Sequence, residues 1–166
     1  MPRVVEAAMT SPVARAGLGY DSHRFKKGRP LILGGVTVPH DRGLDGHSDA
    51  DVVLHAVIDA LVGAAGLGDI GSFYPDSDPR WKGADSLTLL ENTRARLGRR
   101  RVVHVDVTLL AEAPRIGPYK NRMRTKIARA LRVPVGAVNV KAKTNEGMGF
   151  VGRREGLAAL AVATVQ

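Results

Sequence analysis

Residues 47–65, HSDADVVLHAVIDALVGAA, carry the pattern on which the fold turns. Val52, Val53, Leu54, Val57, Ile58, Leu61 and Val62 make the interior of this stretch almost continuously apolar, as in a helix buried on most of its circumference. Ser48, with Asp51 three residues later, resembles a capping box in which Asp replaces Glu or Gln, so the predicted helix starts near Ser48. Asp51, His55 and Asp59 fall four apart and share one face. Polar side chains on a buried helix cost free energy unless something pairs with them or binds them. Whatever this stripe faces is the place to look for chemistry.

Upstream, small and apolar residues 16–20 lead into Asp21-Ser22-His23 and predict a strand end. In extended chain Asp21 and His23 point to the same side, two metal-type ligands together. An isolated pair of this kind is more often a carboxylate orienting an imidazole, and only a third ligand changes that reading. Residues 31–38 (LILGGVTV) predict a hairpin turning at Gly34-Gly35. Residues 40–46 read as a polar loop that delivers His47 to the helix.

Downstream, the Gly-, Asp-, Ser- and Pro-rich residues 66–78 predict a long turn-like segment without strand or helix. A surface helix is expected over 84–97, a strand over 102–111 and a loop over 112–118. A basic amphipathic helix opens at Pro118 and runs to about Leu131. A strand over 137–142, a Gly-rich loop over 143–152 and a buried strand over 156–165 complete the chain. His104 and Asp106 on the 102–111 strand are read as structural. The interleaving predicts one α+β (α/β-like) domain over 15–166, with a mixed four-stranded sheet covered on one face by helices, after a loose leader 1–14.

Composition narrows the chemistry. The 166 residues suffice for one domain with a real core, and there is no cysteine. Any transition metal must therefore be held by imidazole and carboxylate. No apolar run reaches the roughly 18 residues of a membrane span, and residues 1–15 lack the apolar core of a secretory signal. Both points suit a cytoplasmic protein. The net charge of +9 is uneven: residues 1–83 hold 9 Lys/Arg against 10 Asp/Glu, residues 84–166 hold 16 against 6. Such an excess fits nucleic acid or a small polyanion such as a diphosphate. With 4% aromatic residues there is little for base stacking.

Asp21, His23 and His55 together make a set of two histidines and one carboxylate, the three-ligand pattern of a catalytic zinc that keeps a fourth position open. Asp51 or Asp59, one turn to either side, is placed to orient the His55 imidazole. Lys143-Thr144-Asn145-Glu146-Gly147 follows a predicted strand, and its backbone N–H groups suit a phosphate while Glu146 suits a hard divalent cation. It is not a Walker sequence, and Gly17-Leu18-Gly19 lacks the third glycine of a dinucleotide fingerprint.

Five stretches in order, GLGYDSHRF (17–25), HSDADVVLHA (47–56), GLGDIGSFYPDSDP (66–79), AEAPRIGP (111–118) and TNEGMGFVGRREG (144–156), closely resemble the 2-C-methyl-D-erythritol 2,4-cyclodiphosphate synthase family. The resemblance implies a phosphorus–oxygen lyase of the non-mevalonate isoprenoid pathway. Its substrate is 4-diphosphocytidyl-2-C-methyl-D-erythritol 2-phosphate, whose 2-phosphate attacks the β-phosphorus and expels CMP. It further implies zinc on Asp21, His23 and His55, and a second divalent ion, magnesium or manganese, on Glu146.

By the same resemblance His47 and Thr144 stabilise the transition state, and His47 with Ser48 contacts the methylerythritol phosphate. Asp21, Ser22 and His23 belong to the substrate contacts. Asp69, Ile70, Gly71, Tyr74, Pro75, Asp76, Ser77 and Asp78 match the loop around the methylerythritol part. Ala111, Glu112, Ala113, Pro114, Arg115, Ile116 and Gly117 match the cytidine pocket. Lys143 and Asn145 accompany Thr144 and Glu146, while Phe150 and Arg153 match further ligand contacts. Lys143 and Arg115 stand where many members have Thr and Lys, and Tyr74 stands for a common Phe.

A homotrimer with active sites between subunits is implied, with no nucleic-acid or membrane partner. Two other classes make different predictions. A nucleic-acid-binding module over 94–132 predicts tight, salt-sensitive binding to unrelated RNA or DNA, and a zinc hydrolase of a small phosphate ester predicts incorporation of water into product.

Overall fold

A computed structural model describes residues 13–166. The expected leader falls outside the described residues except for Val13 and Ala14, both exposed. In chain order come β1 (Arg15–Lys26), β2 (Leu31–Leu33), β3 (Val36–Val38), β4 (Gly43–Leu44), α1 (Val52–Ala65) and α2 (Ile70–Phe73). Then follow α3 (Ser86–Arg96), β5 (Val102–Leu110), α4 (Lys120–Leu131), β6 (Val138–Lys143), α5 (Gly149–Gly152) and β7 (Gly156–Val165). Single 3-10 turns sit at Pro79–Trp81, Gly117–Tyr119 and Val135–Ala137.

The main sheet has the order β4-β1-β7-β5-β6. Its centre is the long antiparallel pair β1/β7, in register from Arg15 opposite Val165 to Arg24 opposite Gly156. β5 runs antiparallel to β7 and parallel to β6, so the sheet is mixed as expected. It has five strands where four were expected. The extra one, β4, is two residues long and pairs with the end of β1 through Phe25 and Leu44, inside the segment read as a polar loop. So short a partner has no alternation of its own to betray it. The Leu31–Leu33/Val36–Val38 hairpin stands apart as a two-stranded sheet.

α1 lies across β1 and β7 and is almost wholly buried, as its apolar run requires. What allows the approach is the pair Gly17 and Gly19 on the helix-facing side of β1. A Cβ on Gly17 would lie 2.1 Å from the Ala60 carbonyl oxygen, and one on Gly19 would lie 2.0 Å from that of Ala56. Gly17-Leu18-Gly19 is thus a seat for a helix backbone. Asp21 and His23 continue the same face of the strand, and the seat carries α1 directly over them.

The helix begins later than its sequence suggests. Asp51, fully buried, is the N-cap and accepts from the backbone N–H groups of Val53 and Leu54. The same carboxylate also accepts from Gly34 (2.9 Å) and Gly35 (2.7 Å), which ties the hairpin turn to the start of α1. Ser48 lies outside the helix. Residues 66–78 and 143–152, read as loops, contain the one-turn helices α2 and α5, and the helix expected from Pro118 begins at Lys120.

Replacing Gly19 with Ala drives a methyl group into the α1 backbone. Gly19→Ala is expected to cost about 3 kcal/mol or more, lowering the midpoint of thermal unfolding by roughly 10 °C; an unchanged midpoint in calorimetry contradicts this packing.

Candidate metal centre and adjoining cavity

Asp21 and His23 from β1 and His55 from the second turn of α1 converge. Asp21 Oδ2 lies 2.9 Å from His23 Nε2 and 3.0 Å from His55 Nδ1, and the two nitrogens are 3.1 Å apart. Among the described residues these three form a group able to hold a metal ion. Burial opposes charge on Asp21, but the close contacts with His23 and His55 outweigh it and hold the carboxyl well below the usual range. Burial likewise opposes charge on His23, and Asp21 outweighs it, raising the imidazole above its ordinary value.

The donor set fits a metal on chemical grounds. The far side of the His23 ring faces the backbone of Asp45, and His55 Nε2 has the hydroxyls of Ser48 and Ser86 each at 3.0 Å. When both rings are neutral and protonated on their outer nitrogens, the two inner nitrogens and the Asp21 oxygen turn lone pairs on one point. Lone pairs so close repel unless a proton or a metal ion stands between them. Bonds of about 2.0–2.1 Å in a tetrahedral site separate ligand atoms by about 3.3 Å, so the triad needs to open by only a few tenths of an ångström.

Neither carboxylate expected beside His55 touches it. Asp51 turns to the hairpin, and Asp59 accepts the Ile70 backbone N–H at 3.1 Å, anchoring α2. The carboxylate behind His55 is Asp49, which is reached through Ser86. Both residues escaped the sequence reading because the connection runs through the start of α3, distant in the chain.

The triad opens onto a cavity of about 600 Å³ whose walls include Gly46, His47, Ser48, Ile70, Gly71 and Tyr74. Pro75, Asp76, Trp81 and Leu89 complete it. His47 Nε2 lies 3.3 Å from the Asp78 carbonyl oxygen. Tyr74 presents its ring to the cavity and spends its hydroxyl on the Leu89 carbonyl (2.8 Å) and Thr93 (2.9 Å), an anchor to α3 that a Phe lacks. Asp69 caps α2 and Asp78 caps the Pro79–Trp81 turn while pairing with Arg80. Asp69, Ser77 and Asp78 do not line the cavity.

The remaining expected residues gather elsewhere. Residues 111–117 and 143–147 form a second cluster in which Glu112 Oε1 accepts the backbone N–H groups of Asn145 (2.8 Å) and Gly147 (3.2 Å). Ala111 N–H bonds the Lys143 carbonyl, and Thr144 Oγ1 donates to Glu146 at 2.8 Å. Ala113–Pro114 is a cis peptide; Arg115 and Gly117 are exposed and Ile116 is buried. None of these residues lines the cavity. Ser22 joins His23, Arg24, Phe150 and Glu155 around a smaller cavity of about 270 Å³, so His23 borders both cavities. Arg153 pairs with Glu155.

Comparison with known proteins follows from this geometry. The YgbB family model matches residues 14–166. The chain is 59% identical over 154 residues to a 2-C-methyl-D-erythritol 2,4-cyclodiphosphate synthase of Salinibacter ruber, covering 92% of this chain and 98% of that protein. A solved 2C-methyl-D-erythritol-2,4-cyclodiphosphate synthase in a CDP-bound form superposes with a TM-score of 0.83 at 35% identity, over 92% of this chain and all of that one. The bifunctional IspDF of Campylobacter jejuni gives a TM-score of 0.89 at 39% identity, over 92% of this chain and 42% of that longer chain.

Removing any one ligand leaves two, too few for a stable site. Asp21→Ala and His55→Ala are expected to purify folded and lose the metal that the unaltered protein binds; elemental analysis showing equal metal in all three contradicts the assignment.

Proposed function

The chain belongs to the YgbB family, and from that premise we infer that it converts 4-diphosphocytidyl-2-C-methyl-D-erythritol 2-phosphate to 2-C-methyl-D-erythritol 2,4-cyclodiphosphate with release of CMP, a step of non-mevalonate isoprenoid synthesis. The observation that carries this reading is the Asp21/His23/His55 convergence on the wall of a cavity of substrate size, in a chain so similar to synthases of that name.

An oxygen of the 2-phosphate forms a bond to the β-phosphorus, the bond from that phosphorus to the oxygen bridging the α-phosphate breaks, and CMP leaves with the electron pair. An ionised phosphate is already a nucleophile, so the protein has mainly to position and to neutralise charge. Asp21, His23 and His55 would hold zinc, and Glu146 a magnesium or manganese ion. Such ions, when bound, supply Lewis-acid neutralisation of the diphosphate oxygens.

His47 and Ser48, on the wall beside the triad, contact the methylerythritol phosphate in this reading, with Ile70, Gly71, Tyr74, Pro75 and Asp76 shaping the sugar-like part. Thr144, already bonded to Glu146, stabilises the transition state with His47. Residues 111–117 receive the cytidine through backbone groups. The cis Ala113–Pro114 turn and the Glu112 bonds fix that loop against residues 143–147.

Metal triad and cytidine loop stand in separate clusters within one chain, which supports a homotrimer in which the triad of one subunit meets the loop of the next. The uncovered face of the sheet supports it too: Leu18 (65% exposed), Tyr20 and Val162 leave an apolar patch there, of the kind that marks interfaces. Among the described residues no helix is long and apolar enough to cross a membrane.

The purified protein is expected to release one CMP per cyclic diphosphate with no oxygen from labelled water in the product, whereas a hydrolase incorporates it. His47→Ala should lower kcat by about 100-fold with metal retained. Light scattering should return three times the 17.7 kDa chain mass; a monomer contradicts sites built between subunits.

A further inference from the structure

The environment of His55 Nε2 determines more than ring orientation. Two serine hydroxyls compete for that nitrogen, each at 3.0 Å, and they are not equivalent. Ser86, fully buried at the first position of α3, points its hydroxyl at Asp49 Oδ1, 2.5 Å away. Asp49 has nothing to donate: its Oδ1 also accepts the Asp51 N–H, and its Oδ2 accepts the Ser86 N–H at 3.0 Å. An ionised carboxylate only accepts, so the hydroxyl proton of Ser86 is committed to Asp49 and its oxygen is left to accept. His55 Nε2 must then carry a proton and donate it.

Ser48 is in the opposite position. Its oxygen accepts the Ala50 N–H at 3.2 Å and shares the His55 proton, so its own hydroxyl proton has no acceptor among the described residues. Ser48 also lines the cavity, where Ser86 does not.

We infer that Ser86 and Asp49 form a positioning relay that fixes the His55 proton on Nε2, turning Nδ1 to the metal as a lone pair and leaving the Ser48 hydroxyl free to donate to the phosphate of the substrate. This rests on the metal-dependent reading above. The two serines divide the work: Ser86 sets the ligand, Ser48 meets the substrate. Outer hydrogen-bond partners of this kind are worth 10–100-fold in metal affinity. Without the Asp49 acceptor the Ser86 hydroxyl is able to rotate and donate to Nε2, which places the imidazole proton on Nδ1, where it blocks the metal.

The test uses zinc alone as the probe. Zinc affinity is measured by chelator competition for the unaltered protein, Ser86→Ala and Ser48→Ala, and the ring nitrogens of His55 are observed by 15N magnetic resonance. Ser86→Ala is expected to weaken zinc 10–100-fold, while Ser48→Ala keeps the affinity near that of the unaltered protein and raises KM. In the unaltered zinc form the resonances should show Nε2 protonated and Nδ1 bound, a readout that does not depend on any variant folding. Equal affinity in Ser86→Ala, or a zinc-bound Nε2, overturns the relay and leaves the reaction standing. An unaltered protein that binds no zinc overturns both.

Discussion

Three ligand atoms, two imidazole nitrogens and a carboxylate oxygen all within 3.1 Å of one another, are the constraint on which this molecule rests. Each is held there by something behind it. The backbone of Asp45 stands behind one imidazole, the Ser86 hydroxyl behind the other, and Asp21 lies between them. The arrangement suits a cation at its centre, and it exists only because β1 and α1 lie close enough for a strand and a helix to share a site. Gly17 and Gly19 provide that closeness, and Asp51 locks the first turn of α1 to the Gly34-Gly35 hairpin. Backbone packing and metal chemistry are thus one problem in this fold.

The parts of the fold that announced themselves did so through period. α1 and β7 were legible because apolar runs of their length have few alternatives, and the 31–38 hairpin because Gly34-Gly35 accepts the positive φ that a two-residue turn demands at both positions. β4 was not legible, since two residues carry no period and their pairing is decided by where β1 ends. The start of α1 was misplaced because Ser48 and Asp51 both look like caps; the hairpin, distant in sequence, made Asp51 the one that binds.

The site divides in the same way. Asp21 and His23 share a face by strand alternation, and the polar stripe on α1 pointed to His55, so the triad could be proposed from spacing. What spacing could not supply was the direction of each remaining carboxylate. Asp51, Asp59 and Asp49 lie within ten residues of one another and serve a hairpin, α2 and α3 respectively. The Asp49–Ser86 contact joins residues 37 apart, and no local signal marks it. The 111–117 and 143–147 loops likewise cluster through Glu112, whose partners are backbone N–H groups that any sequence offers. Their separation from the triad within one chain is where the argument for neighbouring subunits begins.

The claim at the centre is that two imidazoles and one carboxylate surround a single cation and leave it an open position. X-ray absorption at the zinc edge on the loaded protein tests it most directly. The account predicts four light-atom neighbours, with the multiple-scattering signature of two imidazoles and one oxygen neighbour exchanged by added diphosphate; a zinc with six oxygen neighbours and no imidazole signature contradicts it.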